Sequence, residues 1–260
     1  MFPIYPDLKG KTALVTGASS GIGRGVALAL LEQGVLVGVH YRRGRAAAEE
    51  LKERHPGLAF PLGADLGEEK GCMDLARDQC ERVGGCDVLV HAAGLWNEGP
   101  IASLSRHRLE EIFRVNTFSA FYLVRELLPA LRANGRGSIV LVGSSAGLRG
   151  EQGHAHYAAS KGALQSMAMS LAVELAPAVR TNLVSPGWIR TPMAAETLDR
   201  LGPILAATIP NRRVGEIEDV VNAVLYLASE ASAHVLGENL SVSGGALLVV
   251  PRGQLRPTEG

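Results

Sequence analysis

The chain has 260 residues, with 26 basic and 26 acidic side chains and a formal net charge of zero. This balance gives no electrostatic surface for nucleic acid or for anionic membranes, so neither partner is expected. The chain has no apolar run near the ~20 residues that span a bilayer, and its start lacks the pattern of a signal peptide. We therefore expect a cytoplasmic protein and, because no linker-like segment interrupts residues 1–260, a single domain.

Short apolar segments recur along the chain, and most are separated by helical patterns. The strand-like segments are Thr12–Thr16, Leu36–His40, Ala59–Leu62, Val88–His91, Ser138–Val142, Arg180–Val184 and Asn239–Val242. This alternation predicts an α/β fold, a Rossmann-type doubly wound parallel sheet with helices on both faces. Ligands of such sheets bind beyond the carboxyl ends of the strands. Gly17, Asp65, Ala93, Ser144 and Pro186 follow strand ends and should converge there.

The glycine-rich segment TGASSGIG follows the first predicted strand. Gly17, Gly21 and Gly23 precede a predicted helix at Arg24–Gln33, so backbone N–H groups and the helix dipole can meet a pyrophosphate. The glycine spacing is wider than in the ordinary dinucleotide fingerprint. Taken alone, the segment fits equally a strand-to-helix turn without a ligand.

The end of the second strand indicates which dinucleotide would bind. NAD-binding sites usually place a carboxylate there, whereas a 2′-phosphate requires arginine. No carboxylate occurs between Val35 and Ala48, and Arg42, Arg43 and Arg45 are present instead. This predicts NADP(H) in preference to NAD(H); the alternative is that the arginines only solvate the next helix.

Tyr157 and Lys161 lie in the motif YAASK, within a helix predicted over Ala155–Leu175. Residues four apart share a helix face, so the ammonium group can act on the phenol. A cation nearby favours the phenolate, and we therefore expect Lys161 to lower the pKa of Tyr157 toward the range useful for acid–base catalysis. The alternative is an ordinary polar pair on a helix surface.

Several further motifs follow the same order as in one known family. They are GADL at Gly63, HAAG at His91, RVNTF around Asn116, GSSAG at Gly143, SPGWIRTPM at Ser185 and SVSGGA at Ser241. With TGASSGIG and YAASK, they make the sequence resemble the classical short-chain dehydrogenase/reductase family from about Leu8 to Leu248. Two of the motifs depart from the family pattern, since His91 and Ala92 stand for asparagines in HAAG and Ser243 stands for an aspartate in SVSGGA.

The resemblance implies roles for individual residues. Tyr157 would be the general acid/base, Lys161 would tune it and hold the nicotinamide ribose, Ser144 would orient the substrate oxygen, and Asn116 would support a proton-relay water. The cofactor-binding residues would be Gly17, Ser19, Ser20, Gly21, Ile22, Gly23, Tyr41, Arg42, Arg43, Asp65, Leu66, Ala92, Ala93, Gly94, Tyr157, Lys161, Pro186, Gly187, Ile189 and Thr191.

The reaction implied is a reversible hydride transfer between NADP(H) and a small-molecule ketone, 3-oxoacyl compound or secondary alcohol. Two alternatives remain. The segment GSSAG also matches a hydrolase elbow with Ser145 as nucleophile, although the LRGEQG that follows should delay the next helix to about Ala155. A non-catalytic NADP(H) sensor or partner-binding protein is the other.

Substrate identity is not fixed by the sequence. We expect a lid at 193–214, a tail at 251–260, and a nicotinamide cleft flanked by Trp96 and Trp188 with His154 and His156 near its mouth. The three cysteines, Cys72, Cys80 and Cys86, are not spaced as metal ligands, so reduced thiols and no metal are expected.

The resemblance also implies a homotetramer or a homodimer. Pairing would use the helix that carries Tyr157 and the helix at 220–229. On the first of these helices, the residues expected to be exposed are Ala163, Met167, Ser170 and Ala172, which are small or apolar as a two-fold interface requires.

Overall fold

The computed structural model describes residues 2–248, and their strands form one seven-stranded parallel sheet in the order β3-β2-β1-β4-β5-β6-β7. The strands are β1 Thr12–Thr16, β2 Leu36–Tyr41, β3 Ala59–Gly63, β4 Val88–His91, β5 Gly137–Val142, β6 Val179–Pro186 and β7 Asn239–Val242. The predicted single-domain, doubly wound α/β fold is confirmed. The expected tail at 251–260 lies outside the described residues.

The helices alternate with the strands. They are α1 Gly21–Glu32, α2 Arg45–Arg54, α3 Glu69–Asp78, α4 Arg106–Phe113, α5 Ser119–Arg132, α6 Ala146–Arg149, α7 Ala155–Leu175, α8 Ala195–Thr208 and α9 Ile217–Ala228. Helix α1 begins three residues earlier than predicted, because the glycine-rich turn itself enters the helix. Of the helices within residues 2–248, none has both the length and the apolarity to cross a bilayer.

The sheet separates two apolar cores, because successive side chains of a strand point to opposite faces. In β4, Val88 and Val90 pack in the core with α1 and α9, whereas Leu89 packs in the core with α3, α5 and α7. Since both faces are covered, these strands are almost continuously apolar, as the sequence indicated. The covered sheet provides a rigid base for the loops at its carboxyl edge.

Candidate active site

The glycine-rich loop connects β1 to α1 and touches the end of β4. Gly17 has a φ of +68°, and a Cβ there would lie 3.0 Å from the Cα of Ala93. A Cβ on Gly23 would lie 2.4 Å from the carbonyl oxygen of Gly17. Only glycine fits both positions. Ser20 precedes α1 without a side-chain capping hydrogen bond, so the N–H groups of the first turn remain available to an anion.

His40, at the end of β2, fixes this loop and was missed by the sequence reasoning. Its Nδ1 accepts a hydrogen bond from the Gly17 N–H at 3.0 Å, and its Nε2 donates to the Ala64 carbonyl at 3.2 Å. Burial lowers the pKa of His40 to about 4, so the ring is neutral at physiological pH. The sequence feature that could have indicated this role is a histidine inside an otherwise apolar strand.

A cavity beside this loop contains most of the residues predicted for the adenosine half of the cofactor. It is lined by Gly17, Ser19, Ser20, His40, Arg42, Arg43, Gly44, Asp65, Leu66, Ala93, Gly94, Leu95 and Val115. Arg42 and Arg43 are exposed, and neither forms an ion pair within the described residues, whereas Arg45 pairs with Glu49 at 3.6 Å.

Tyr41 is the predicted residue of this region that the cavity does not include. A Cβ on Gly63 would lie 3.0 Å from the ring carbon Cζ of Tyr41, so the ring lies against the end of β3. Contact of Tyr41 with a cofactor remains a prediction.

The main cavity lies beyond the carboxyl ends of β1, β4, β5 and β6. Its lining includes Gly17, Ser20, Gly21, Ile22, Gly23, Ala92, Ala93, Gly94, Ser144, Ser145, Tyr157, Lys161, Pro186, Gly187, Ile189, Thr191, Pro192 and Met193. The glycine-rich loop and the pair on α7 therefore face one space, despite more than a hundred residues of chain between them. Trp96 and Trp188 also line this cavity, and their position beside a nicotinamide remains a prediction. Their ring centroids lie 6.0 Å apart.

Burial determines the protonation of Tyr157 and Lys161. Lys161 is 5% exposed, and its Nζ donates to the Val142 carbonyl at 2.8 Å; burial lowers the pKa of this amine to about 8. Burial also raises the pKa of Tyr157 to about 12, against the opposing effect of Ser144, while the Glu151 carboxylate raises it further. Our expectation that Lys161 brings the phenol pKa below its ordinary value is therefore not met in this structure. Tyr157 is a protonated phenol at neutral pH.

Asn116 lies in a π-helical segment, Arg114–Phe118, between α4 and α5. Its Oδ1 accepts from the Leu95 N–H at 2.7 Å, and its Nδ2 donates to the Leu95 carbonyl and to the Ser160 hydroxyl, both at 3.0 Å. The side chain thus connects the loop after β4 to α7. π-Helical turns are frequent at functional sites. Asn116 is not among the residues lining either cavity, and its support of a relay water remains a prediction.

The two departures from the family motifs have local hydrogen-bond partners. The Nε2 of His91 lies 2.8 Å from the Ser119 hydroxyl, which itself donates to the Val115 carbonyl; the imidazole is therefore assigned as the donor. Burial lowers the pKa of His91 to about 3. Ser243 accepts from the Ser241 hydroxyl at 3.0 Å. The Nδ1 of His91 is buried without a hydrogen-bond partner among the described residues, whereas the Ala92 N–H donates to the Thr16 hydroxyl at 3.0 Å.

The hydrolase alternative is tested at Ser145. The expectation of a delayed helix was wrong, because α6 begins at Ala146, directly after Ser145, and lasts one turn. A hydrolase serine also needs a histidine within hydrogen-bonding reach. Among the hydrogen bonds of residues 2–248, none joins Ser145 to a histidine.

The cysteines of the chain are all unpaired. Cys72 and Cys86 are buried and Cys80 is exposed. Burial raises the pKa of Cys72 to about 12, so this thiol is unreactive. The part of the chain that the structure describes contains no group of three or more potential metal ligands.

Comparison with known proteins gives consistent matches over nearly the whole chain. The model of a family described as enoyl-(acyl carrier protein) reductase matches residues 17–246. Nodulation protein G of Rhizobium sp. (strain N33) is 34% identical over 247 residues, covering 94% of this chain and 99% of that protein. The 3-oxoacyl-(acyl-carrier-protein) reductase FabG of Vibrio harveyi is 33% identical over 247 residues, covering 94% of this chain and 100% of that protein.

Solved structures match equally well. A short-chain dehydrogenase/reductase from Brucella melitensis, titled glucose/ribitol dehydrogenase, superposes with a TM-score of 0.90 at 32% identity, covering 95% of this chain and 100% of that one. A putative NAD(P)-dependent gluconate 5-dehydrogenase from Beutenbergia cavernae, with NADP bound at low occupancy, gives a TM-score of 0.87 at 34% identity, covering 94% and 99%.

Proposed function

Because the chain belongs to the short-chain dehydrogenase/reductase family and is an NAD(P)-dependent oxidoreductase, we propose that it reversibly reduces ketones or 3-oxoacyl compounds with NADPH. One observation carries the proposal: Ser144, Tyr157 and Lys161 line the same cavity as the glycine-rich loop. A dinucleotide held by that loop would present its nicotinamide to the catalytic hydroxyls.

The residues fit such a cofactor. The space that a Cβ on Gly17 or Gly23 would fill, together with the uncapped start of α1, accommodates a pyrophosphate. Arg42 and Arg43, without ion pairs in the described residues, are available to a 2′-phosphate. The relative that binds NADP and the FabG relatives support this choice of cofactor.

When bound, NADPH supplies the hydride that reaches the carbonyl carbon. As negative charge develops on the carbonyl oxygen, the Tyr157 hydroxyl donates its proton to that oxygen, and the Ser144 hydroxyl hydrogen-bonds the same atom. Donation leaves Tyr157 as a tyrosinate, and Lys161, which lines the same cavity, would hold the nicotinamide ribose. In the direction of alcohol oxidation, the same tyrosinate removes the proton from the substrate hydroxyl.

The proposal is tested by following NADPH absorbance in the presence of a panel of ketones, keto sugars and 3-oxoacyl thioesters, with NADH in parallel. We expect substrate-dependent oxidation that is faster with NADPH. Tight NADPH binding without turnover of any carbonyl compound would instead favour a non-catalytic sensor. The expected homotetramer or homodimer and the cytoplasmic location belong to the same proposal.

A further inference from the structure

One part of the lining of the main cavity, here called the wall, has a composition that the proposed reaction does not require. It contains the two tryptophans of the chain, Trp96 and Trp188, together with the carboxylate of Glu151. In the proposed reaction the hydride comes from the dinucleotide and the proton from Tyr157, and Glu151 affects these groups only through its charge, which raises the pKa of Tyr157. The wall therefore acts on the rest of the substrate.

The parts of this wall hold each other in position. The Trp96 indole N–H donates to Glu151 Oε2 at 3.2 Å. His154 stacks on Trp96, with ring centroids 4.8 Å apart and planes 4° apart. Trp188 meets Trp96 edge to face, with planes at 89°. The orientation of Glu151 is thus set before a substrate binds.

Two hydrogen bonds connect the loop that carries Trp96 to its neighbours, one to the loop that carries Glu151 and one to the first turn of α7. The Gly99 N–H donates to the Gly153 carbonyl at 2.8 Å, and His156 Nε2 lies 2.8 Å from Asn97 Oδ1. This connection keeps the carboxylate at the cavity rather than in solvent. A wall fixed from both sides can discriminate between substrates.

The carboxylate has unused capacity to accept hydrogen bonds. Within the described residues, the Glu151 carboxylate accepts one hydrogen bond, from Trp96, and forms no ion pair, although Arg149 lines the same cavity from an exposed position. An ionised carboxylate is an acceptor only, with about four acceptor sites. A wholly apolar substrate would displace water from the carboxylate without replacing the hydrogen bonds that the water donates. An anionic substrate would be repelled by the charge of the carboxylate.

From this wall we infer that the substrate carries a hydroxyl group next to its reacting carbon, bonded by Glu151, while its carbon skeleton packs on Trp96 and Trp188. The substrate class is then a hydroxyketone or polyol rather than an unsubstituted alkyl ketone. This inference rests on the proposed function, because it describes the substrate of the same cavity.

Kinetics with a matched pair of ketones tests the inference. We expect kcat/KM for 1-hydroxybutan-2-one to exceed that for pentan-3-one by about tenfold or more, the scale of one charge-assisted hydrogen bond. Glu151→Gln keeps an acceptor for Trp96 but removes the charge, so the ratio should fall toward unity, mainly through KM for the hydroxyketone. Glu174→Gln, an exposed glutamate at the end of α7, is the matched control and should leave the ratio unchanged.

A binding measurement separates this inference from the proposed function. Both tryptophans line the cavity, so intrinsic fluorescence of the NADPH complex reports binding of the unreactive alcohols butane-1,2-diol and pentan-3-ol. Preferred binding of the diol that Glu151→Gln abolishes would support the inference even without turnover. Equal use of both ketones, or a preference for 2-oxobutanoate directed by Arg149, would overturn it while leaving carbonyl reduction intact.

Discussion

At Tyr157, desolvation and neighbouring groups act on the same hydroxyl. Burial raises its pKa to about 12, and the one opposing effect, from Ser144, is smaller. A phenol with this pKa remains protonated at neutral pH and is suited to donate to an alkoxide, which is a far stronger base. The structure therefore favours the acid role of Tyr157, the role needed for carbonyl reduction.

Tyr157→Phe should lower kcat for ketone reduction by at least ~10²-fold, the usual scale for loss of a general acid, because the variant keeps the ring and removes only the hydroxyl. The NADPH dissociation constant, measured by fluorescence titration, should stay nearly unchanged. Tyr122→Phe on α5, whose ring contacts Arg125, is the control and should leave both values unchanged. An undiminished rate in Tyr157→Phe would place the proton donor elsewhere.

Replacing Arg42 and Arg43 together with alanine should weaken NADPH binding far more than NADH binding. Each charge-assisted hydrogen bond to a phosphate contributes roughly 1.5–3 kcal/mol, so the NADPH/NADH preference should shift by about tenfold or more. Arg45→Ala is the matched control, since that guanidinium pairs with Glu49. Retention of the wild-type preference in the double variant would contradict our interpretation of β2.

At the scale of elements, one side chain at the end of β2 holds together the segments that follow β1 and β3. His40 bonds the N–H of Gly17 and the carbonyl of Ala64, thereby linking the glycine-rich loop to the segment after β3. This neutral ring cannot keep both bonds once protonated, because Nδ1 would become a donor. Stability and cofactor binding should therefore respond together to acid.

His40 should make the protein less stable in mild acid. Its folded pKa, about 4, lies below the unfolded value of about 6.5, so the unfolded chain binds the extra proton and stability is lost as the pH falls between these values. By pH ~5 the loss from His40 alone is about 2 kcal/mol. Urea unfolding near pH ~5 and ~7 should show it.

Substitution separates the contribution of His40 to the pH dependence of stability from that of His91, whose pKa is also lowered, to about 3. His40→Phe should lower the free energy of unfolding by about 1–3 kcal/mol at neutral pH, because the Gly17 N–H and the Ala64 carbonyl lose their partner. The difference in this free energy between pH ~7 and ~5 should become smaller, and KM for NADPH should rise. His40→Gln offers a donor and an acceptor and should recover part of the loss at neutral pH. An unchanged pH difference in His40→Phe would contradict this assignment.

The elements that the sequence predicted well are those with a strong local pattern. Both ends of β4 and of α7 agree with prediction, since apolar β-branched runs and helical spacing are local properties. The one-turn helix α6 was missed because its residues form only a short glycine-containing segment. The structural role of His40 was also missed, since it depends on Gly17 and Ala64, which only the folded sheet brings near.

At the scale of the whole molecule, the surface predicted for assembly is only partly available: Ser170 is exposed and Ala163 is half-buried. Met167 and Ala172 of α7 are buried in the subunit, with 4% and 2% exposed, so they cannot meet a second copy. Small and apolar residues occur on both the buried and the exposed face of α7, so the sequence alone could not tell which face is exposed. The large apolar side chains that α7 does expose are Met169 and Val173, while Phe121 is exposed on α5.

We therefore expect α7 to pair through Met169 and Val173, because Val173 is 82% exposed and large apolar groups in contiguous patches mark interfaces. Light scattering at micromolar concentration should show two or four subunits of 27.4 kDa. Val173→Asp places a charge in a self-complementary contact and should shift the protein toward the monomer. Ile4→Asp, on a residue that is 76% exposed near α1, introduces the same charge outside this surface and should leave the assembly intact. A wild-type protein that is monomeric at this concentration, or a Val173→Asp variant that assembles as the wild type does, would exclude pairing through this face.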